Sequence, residues 1–269
     1  MAPCYPHAAV IFYIKIKLIK MLVVISPAKK LDMSQKEFSD VSKPLFVDQT
    51  SELVGVMQSL DADRLKKLMS ISDNLAALNA DRFLRFGMQK RKPAIFAFAG
   101  DTYHGLDADT LDNEDLVWAQ NHLRIISGLY GLLRPLDEIE PYRLEMGSRL
   151  ATKRGRSLYD FWGSQLANAL NEVATQTGAE MLVNCASKEY FSAIDVACLK
   201  FPVLTPIFLE HNDGKPKIVS FYAKKARGAM ARFVMQNKLK TRQELEEFSA
   251  GGYQYQPDLS DGTSLIFVR

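Results

Sequence analysis

The clearest pattern along the chain is a series of short apolar runs that end at Pro, Gly or polar residues. The run at 21–26 ends at Pro27, and the run at 94–99 is closed by Gly100. Short apolar runs bounded by turn signals are typical of buried strands. The pattern predicts strands at residues 21–26, 94–99, 181–184, 206–209, 218–221 and 265–268.

Longer segments with helical spacing and capping residues lie between these runs. Near residues 71–73 a break divides one helical region, and Ser72 or Asp73 is placed to cap the helix that follows. Ser157 and Gly178 flank another amphipathic segment as N-cap and C-terminal stop. Helices are predicted within residues 51–86 and at 111–122, 157–175 and about 223–239, with a short last helix opened by the capping-box pair Thr241 and Glu244.

Strands and helices are interleaved, so the predicted class is α/β or mixed α+β around one sheet. The order of the strands stays open. The chain has 269 residues, of which 47% are hydrophobic, and it contains neither a Pro/Gly/Ser-rich linker nor a repeat of fixed period. We therefore expect one domain over residues 21–269.

Residues 1–20 need a separate interpretation. Their apolar run at 8–14 is shorter than the ~20 residues that a membrane span needs. The positive charges follow this run, whereas a signal peptide carries them before it. We interpret 1–20 as an extension that is disordered or precedes the true start at Met21, and we expect a cytoplasmic protein with no membrane partner.

The cysteines and histidines give little chemistry. Cys4, Cys185 and Cys198 are odd in number and form no CxxC pair, which favours a reducing compartment. Cys185 follows an apolar strand, where a cysteine is expected to pack as a small hydrophobe. The four histidines lack zinc-site spacing, so the sequence does not support a zinc site. This leaves open a carboxylate site for a harder metal. We predict no metal site and no cofactor. No P-loop, nucleophile elbow or zinc-protease motif is present.

The strongest chemical signal is a basic stretch near the C-terminus. Residues 215–242 hold nine Lys or Arg and no Asp or Glu, although the net charge of the whole chain is only +3. On the predicted helix an apolar stripe can dock while a basic stripe faces solvent or a cleft. At Gly228 the missing side chain would let a phosphate or another backbone come close. The basic stripe consists of Lys224, Lys225, Arg227 and Arg232.

A second basic element lies at 65–79 and just beyond it. Two short helices meet there at a tight connection, with Lys66 and Lys67 before it and Arg82 and Arg85 after it. Such a pair can present backbone N–H groups to a DNA phosphate, a contact that is independent of base sequence. A helical hairpin that only packs is a very common unit, and the connection lacks the Gly-hydrophobic-Gly sequence usual in helix-hairpin-helix DNA binders.

A third set of polar residues follows several predicted strands, where ligand crevices of α/β folds tend to lie. It occupies segments 100–106, 134–137, 141–147 and 184–190. Buried ion pairs and turn caps would explain the same residues. Candidate catalytic residues in this set are Asp101, Arg143, Glu145, Asn184 and Lys188.

Together, the segments 21–32, 100–106, 127–137, 141–147 and 220–228 resemble the bacterial YaaA peroxide-stress proteins. The resemblance runs from Met21 to the C-terminus. It implies a compact α/β body with a basic cleft and a helix-hairpin-helix element, which would be the 65–85 pair despite its missing glycines. It also implies resistance to hydrogen peroxide, a lowered pool of loose iron, and duplex DNA as partner.

Two hypotheses follow. In the first, a basic cleft binds duplex DNA largely without sequence preference and limits iron-driven damage. In the second, the protein is an enzyme whose polar crevice takes a small phosphate- or carboxylate-bearing substrate. The residues expected to neutralise DNA phosphates are Lys66, Lys67, Arg82, Arg85, Lys224, Lys225, Arg227 and Arg232.

Overall fold

The computed structural model describes residues 20–36, 38, 40–211 and 214–269. Its strands are short, and the central ones are almost completely buried. Within these residues the strands are β1 (Lys20–Ile25), β2 (Lys92–Pro93), β3 (Leu123–Ser127), β4 (Gly131–Leu133), β5 (Glu138–Ile139), β6 (Ala179–Cys185), β7 (Val203–Leu209), β8 (Gln254–Tyr255) and β9 (Ser264–Val268).

The α-helices vary from a single turn to five turns. They are α1 (Val47–Gln58), α2 (Ala62–Met69), α3 (Asp73–Leu84), α4 (Ala94–Ala97), α5 (Asp101–Leu106), α6 (Asn113–His122), α7 (Leu158–Trp162), α8 (Gln165–Thr177), α9 (Lys188–Phe191), α10 (Ser220–Asn237) and α11 (Arg242–Glu246).

Seven of the strands form one mixed sheet in the order β4-β3-β1-β6-β7-β9-β8. The five inner strands run parallel, and β4 and β8 add an antiparallel strand at each edge. Parallel strands are covered on both faces and therefore read as continuous apolar runs. In β1, Met21 to Ile25 are all fully buried. The predicted mixed α/β class is thus confirmed, and β1 lies near the centre of the sheet.

Most of the predicted strands are present, but two are wrong. Residues 94–97 form the helix α4, because Pro93 precedes it and the Ala94 and Ile95 amides donate to the carbonyl oxygens of Asp137 and Pro135 at 2.9 and 3.0 Å. Residues 218–221 are not a strand either, since α10 begins at Ser220. A short buried apolar run does not distinguish a strand from a helix by its spacing.

The predicted helix starts at Ser72, Ser157 and Thr241 are confirmed, but one glycine divides a helix that was predicted to be continuous. The side-chain oxygens of Ser72 and Ser157 accept N–H bonds at the starts of α3 and α7, and Thr241 and Glu244 form the complete capping box. The segment 157–175 is two helices rather than one. Gly163, at φ 47° and ψ −128°, separates α7 from α8 in a conformation that favours glycine.

The interpretation of residues 1–20 falls almost wholly outside the described residues. Of that segment only Lys20 is described, as the exposed first residue of β1. The extension, with Cys4 in it, therefore stays a prediction.

Candidate functional site

The carboxyl ends of β3, β1 and β6 lie side by side, because these neighbouring strands are parallel. They form the carboxyl-end edge of the sheet, which differs from its lateral edges at β4 and β8. The segment 141–147 crosses this carboxyl-end edge. Tyr142 shares a hydrogen bond of 2.6 Å with Ser127 at the end of β3. A Cβ added to Gly128 would lie 2.4 Å from the carbonyl oxygen of Leu144. The crossing segment therefore brings polar side chains to the position where α/β folds bind ligands.

Hydroxyl groups join the ends of β1 and β6. The Ser187 amide donates to Oγ of Ser26 at 2.8 Å, and the Tyr103 hydroxyl donates to the Ser26 carbonyl at 3.2 Å. Tyr103, Tyr142 and Tyr190 are all buried, and burial raises the pKa of each phenol. The three phenols therefore stay neutral at physiological pH, and the Tyr103 hydroxyl is a hydrogen-bond donor to Ser26.

Two predicted candidates, Arg143 and Glu145, meet at this edge. Oε2 of Glu145 lies 2.6 Å from the Lys29 ammonium, and Oε1 lies 2.9 Å from the Arg143 guanidinium. Nearby, the Gly147 amide donates to Oε1 of Glu189 at 2.9 Å. We call Ser26, Lys29, Ser127, Tyr142, Arg143, Glu145, Ser187 and Glu189 the strand-end cluster.

The other three predicted candidates differ in their surroundings. Asn184 is buried and stabilises the turn after β6: its Oδ1 accepts the Ala186 amide at 3.0 Å, and its Nδ2 reaches Thr205 at 3.4 Å. Lys188 is exposed on α9, and Asp101 is half-buried as the first residue of α5. These two bonds join the end of β6 to the turn that follows it and to β7, and a catalytic role of Asn184 stays a prediction.

The segment 134–137 lies at the other end of the strands, where the parallel strands begin. Because β4 is antiparallel to β3, Leu133 pairs with Ile125, and the chain leaves β4 beside the start of β3. Asp137 is fully buried and accepts the Arg134 amide at 2.8 Å and the Ser42 hydroxyl at 2.6 Å. Of the two interpretations left open for this segment, a ligand crevice or a turn held by buried ion pairs, the structure shows the turn.

Arg227 on α10 is half-buried and has no charged partner among the described residues. Burial lowers the pKa of its guanidinium, and Cys185, at the end of β6, interacts with it electrostatically. Among the described residues no carboxylate lies within 4.0 Å of it, and no hydrogen bond to its side chain is formed. Buried charges in proteins are normally paired, so this guanidinium is a candidate anion contact.

The remaining members of the basic stripe on α10 differ in availability. Lys224 and Lys225 are exposed, and neither has a carboxylate within 4.0 Å in the described part of the chain. Arg232 instead donates to the carbonyl oxygens of Leu106 and Asp107 at 3.0 and 2.6 Å, which completes the C-terminal end of α5. Two of the four predicted cations therefore face solvent unpaired.

Gly228 has a packing role. A Cβ there would lie 1.8 Å from the Thr102 carbonyl oxygen, and a Cβ on Gly105 would lie 2.0 Å from the Lys225 carbonyl oxygen. The two glycines let the backbones of α5 and α10 touch. Of the two approaches considered from the sequence, a phosphate or another backbone, the structure shows the backbone. The apolar stripe docks as expected, with Ala226, Met230 and Val234 buried and Phe233 partly buried.

In the α2–α3 pair two of the four predicted cations, Lys66 and Arg85, are paired with carboxylates. The connection is three residues long and contains Ser70 at φ 50° where a glycine is usual. Lys66 contacts Asp73 at 2.6 Å, which raises the Lys66 pKa, and Arg85 pairs with Asp81. Asp73 also occupies the first turn of α3, where a phosphate would bind. Of the other two cations, Lys67 is exposed and Arg82 is half-buried.

The sequence analysis included Tyr103 and Ser187 in the polar segments without naming them as candidates, and it missed Ser26. The same rule that selected segment 184–190 would have found Ser26, since it follows the strand β1 directly. It also missed Phe221 and Tyr222 in the first turn of α10, which are 55% and 42% exposed. Exposed aromatic residues beside unpaired lysines are a signal for a binding surface. The wrong strand prediction at 218–221 placed Phe221 in a different element from the lysines, so the sequence analysis did not connect them.

The two described cysteines are poorly suited to react as thiolates. Cys185 is buried, and burial raises the pKa of its thiol to about 12. Cys198 donates to Asp195 at 3.2 Å, a hydrogen bond that raises the Cys198 pKa. Across residues 20–36, 40–211 and 214–269 no group of three or more His, Cys, Asp or Glu is arranged to hold a metal ion.

No helix in the described part of the chain has the length and apolar character needed to cross a bilayer.

Comparison with known proteins gives a match over residues 21–259 to the family described as peroxide stress protein YaaA. A UPF0246 protein of Ruegeria pomeroyi is 55% identical over 253 residues, covering 93% of this chain and 98% of the relative. Relatives of the same designation in Dinoroseobacter shibae and Cereibacter sphaeroides are 54% and 52% identical, each over 93% of this chain and 95% and 99% of their own lengths. The chain therefore belongs to the YaaA family of peroxide stress proteins, also designated UPF0246.

Proposed function

We propose that this chain contributes to peroxide resistance by binding duplex DNA largely without sequence preference and limiting iron-driven oxidative damage there. The observation that carries the proposal is the pair Lys224 and Lys225, exposed on α10 and unpaired among the described residues. A lysine already paired with a carboxylate must give up that partner to bind a phosphate. These two ammonium groups meet no such cost.

Contacts of this kind fix a protein on DNA without reading its sequence, because every nucleotide carries the same phosphate. Their affinity depends on counterion release and falls as salt rises. A sequence-independent mode fits a protective role, since oxidative damage can occur anywhere along the duplex. Iron bound near the phosphates would be excluded wherever the protein occupies the backbone, so the proposal requires no iron site in the protein.

The buried Cys185 supports a route that does not depend on a reactive thiol. Peroxide oxidises the thiolate form of cysteine. With a pKa of about 12, Cys185 is almost entirely protonated at physiological pH. We therefore assign the protective effect to DNA occupancy rather than to peroxide reduction at this residue.

The test is a binding titration against duplex DNA at several salt concentrations. We expect a steep decline of affinity with salt and a smaller log–log slope for the Lys224→Ala/Lys225→Ala variant. Lys238→Ala is the matched control, because Lys238 follows α10 and already pairs with Glu114 at 3.3 Å. A slope near zero for the unmodified protein would overturn the proposal.

Arg227 favours a second candidate function, an enzyme acting on a small phosphate- or carboxylate-bearing substrate. Its unpaired, half-buried guanidinium lies near Cys185 at the strand ends. The strand-end cluster at the same edge supplies hydroxyl and carboxylate groups for acid–base chemistry. Thermal-shift measurements with phosphate- and carboxylate-bearing metabolites test it. Stabilisation that disappears in Arg227→Gln, with duplex affinity unchanged, would favour the enzyme.

A further inference from the structure

A cavity of about 310 Å³ opens between α8, the lateral edge strand β4 and the segment 43–45. It lies at the end of the sheet where the parallel strands begin, and its volume is at the lower end of the range of small-ligand sites. Among the described residues, its lining includes no member of α10 or of the strand-end cluster. The cavity is therefore separate from both surfaces considered above.

The lining contains a buried guanidinium without a charged partner. Arg124, on β3, is only 7% exposed. Its Nη1 donates to the carbonyl oxygens of Gln120 and Leu123 at 3.0 and 2.7 Å, which completes the end of α6. Its Nε and Nη2 form no hydrogen bond with a described residue, and no carboxylate of the described residues pairs with it. One side of this guanidinium is therefore available to a ligand.

A second guanidinium lies beside the first, but its charge is neutralised. Because β4 is antiparallel to β3, Arg134 follows β4 at the position next to Arg124. Arg134 pairs with the buried Asp137 at 2.8 Å. Burial, and after it the positive charge of Arg134, lowers the pKa of Arg124 to about 10. An anion in the cavity would compensate the charge of Arg124, which the protein itself leaves without a carboxylate.

The remaining charged groups of the lining limit the charge of that anion. Lys43 is exposed at the cavity and pairs with no carboxylate of the described residues. Glu172, on α8, is also exposed and pairs with no described cation. The lining thus carries a net excess of one positive charge, since Arg134 is neutralised by Asp137. A single negative charge complements it, whereas a doubly charged phosphate would also meet the Glu172 carboxylate.

The rest of the lining is mainly apolar. Leu132 is buried on β4, Ala169 and Val173 are buried on α8, and Leu45 is 60% exposed. Covering these side chains with a carbon chain removes apolar surface from water, which is favourable. The cavity therefore combines one open guanidinium with apolar walls.

We propose that this cavity binds a small monocarboxylate with a branched apolar body, its carboxylate at Arg124 and its carbon chain against Leu45 and Val173. The open Nε and Nη2 of an arginine match the two oxygens of one carboxylate. The ligand can be a simple carboxylic acid or an α-amino acid whose ammonium group lies at Glu172. These two sources share the carboxylate and the apolar body, and they are separated by experiment.

The experiment is a ligand-observed NMR titration of the full chain with 4-methylpentanoate and with its uncharged analogue 4-methylpentanamide. We expect the carboxylate to bind at least about tenfold more tightly than the amide, the ratio for one charge-assisted hydrogen bond. Arg124→Gln should weaken binding of the carboxylate by a similar factor. Lys43→Gln should weaken it by about two- to fivefold, as expected for an exposed charge. Lys153→Gln is the matched control, because Lys153 is exposed and lies outside the lining.

Leucine provides the second arm. Tighter binding of leucine than of 4-methylpentanoate, with the gain lost in Glu172→Gln, would assign the site to an amino acid, and weaker or equal binding would assign it to a simple acid. Equal affinity for 4-methylpentanoate and its amide, or no binding of either acid at millimolar concentration, would overturn the inference. Urea denaturation checks the fold of Arg124→Gln. If that variant does not fold, Lys43→Gln decides, and an affinity equal to that of Lys153→Gln would overturn the inference.

This test is independent of the proposed DNA function. The titration contains no nucleic acid, and no residue of α10 lines the cavity. Failure of carboxylate binding would therefore leave duplex binding untouched, and a flat salt dependence of duplex binding would leave the cavity's ligand untouched.

Discussion

The first half of α10 and the α2–α3 pair carry similar sequence signals, since each places adjacent lysines on a helix. Their surroundings differ. Lys66 is bound to Asp73, whereas Lys224 and Lys225 have no carboxylate partner in the described structure. The comparison shows that a count of basic residues measures charge but not its availability. Availability depends on whether the fold brings an acid within reach. Of these two elements, α10 is the one whose adjacent lysines are unpaired among the described residues, and exposed aromatic rings lie beside them.

The largest expected effect concerns the support of α10 itself. Gly228→Ala should destabilise the protein by about 3 kcal/mol, because the new Cβ would collide with the Thr102 carbonyl and force two backbones apart. Gly55→Ala is the matched control in α1, where nothing lies within 4 Å of the added Cβ, and alanine should stabilise that helix by up to about 1 kcal/mol. Urea denaturation measures both. Equal stability of the two variants would contradict the close approach.

The second effect separates the two basic elements. Lys224→Ala with Lys225→Ala should lower the salt slope of duplex binding by about 2, or about 1 for each lost phosphate contact. Charge reversal at Lys66 and Lys67 should reduce affinity comparably only if the α2–α3 pair also contacts DNA. Fluorescence anisotropy over a salt series measures both variants. If neither pair changes the affinity, DNA binding by these elements is refuted.

A smaller effect sharpens the comparison by freeing a cation. Asp73→Asn removes the partner of Lys66 and the negative charge from the first turn of α3. If α2–α3 faces DNA, duplex affinity should rise and the salt slope should increase by up to about 1. If the pair only packs, the slope should stay the same. Urea denaturation of the variant controls for a change in stability.

The smallest expected effect is at Cys185, which lies near Arg227 but is shielded from solvent. Its raised pKa and burial predict very slow alkylation of the folded protein between pH 7 and 9, where the thiol form dominates. Of the two described cysteines, Cys198 is more accessible and should react before Cys185. Mass spectrometry of iodoacetamide adducts resolves the two sites. Rapid modification of Cys185 before unfolding would reopen a redox role.

The sequence by itself determined the mixed α/β class. It also determined those strand and helix boundaries that depend only on neighbouring residues. The strand β1 follows from a continuous apolar run, and the caps at Ser72, Ser157 and Thr241 follow from side chains that bond amides three residues on. It also indicated that Arg143 and Glu145 belong together. Each inference rests on interactions within a few residues or on the shared direction of parallel strands.

Only the tertiary structure decided which signals meet. It turned residues 94–97 into a helix because their amides bond to carbonyls at 135 and 137. It placed the 134–137 segment beside the amino ends of the parallel strands, away from the other polar segments, because β4 runs antiparallel to β3. It assigned Gly228 to a backbone contact with Thr102 and gave Lys66 an acid while leaving Lys225 unpaired. These outcomes depend on contacts between residues far apart in the chain, which no local pattern records.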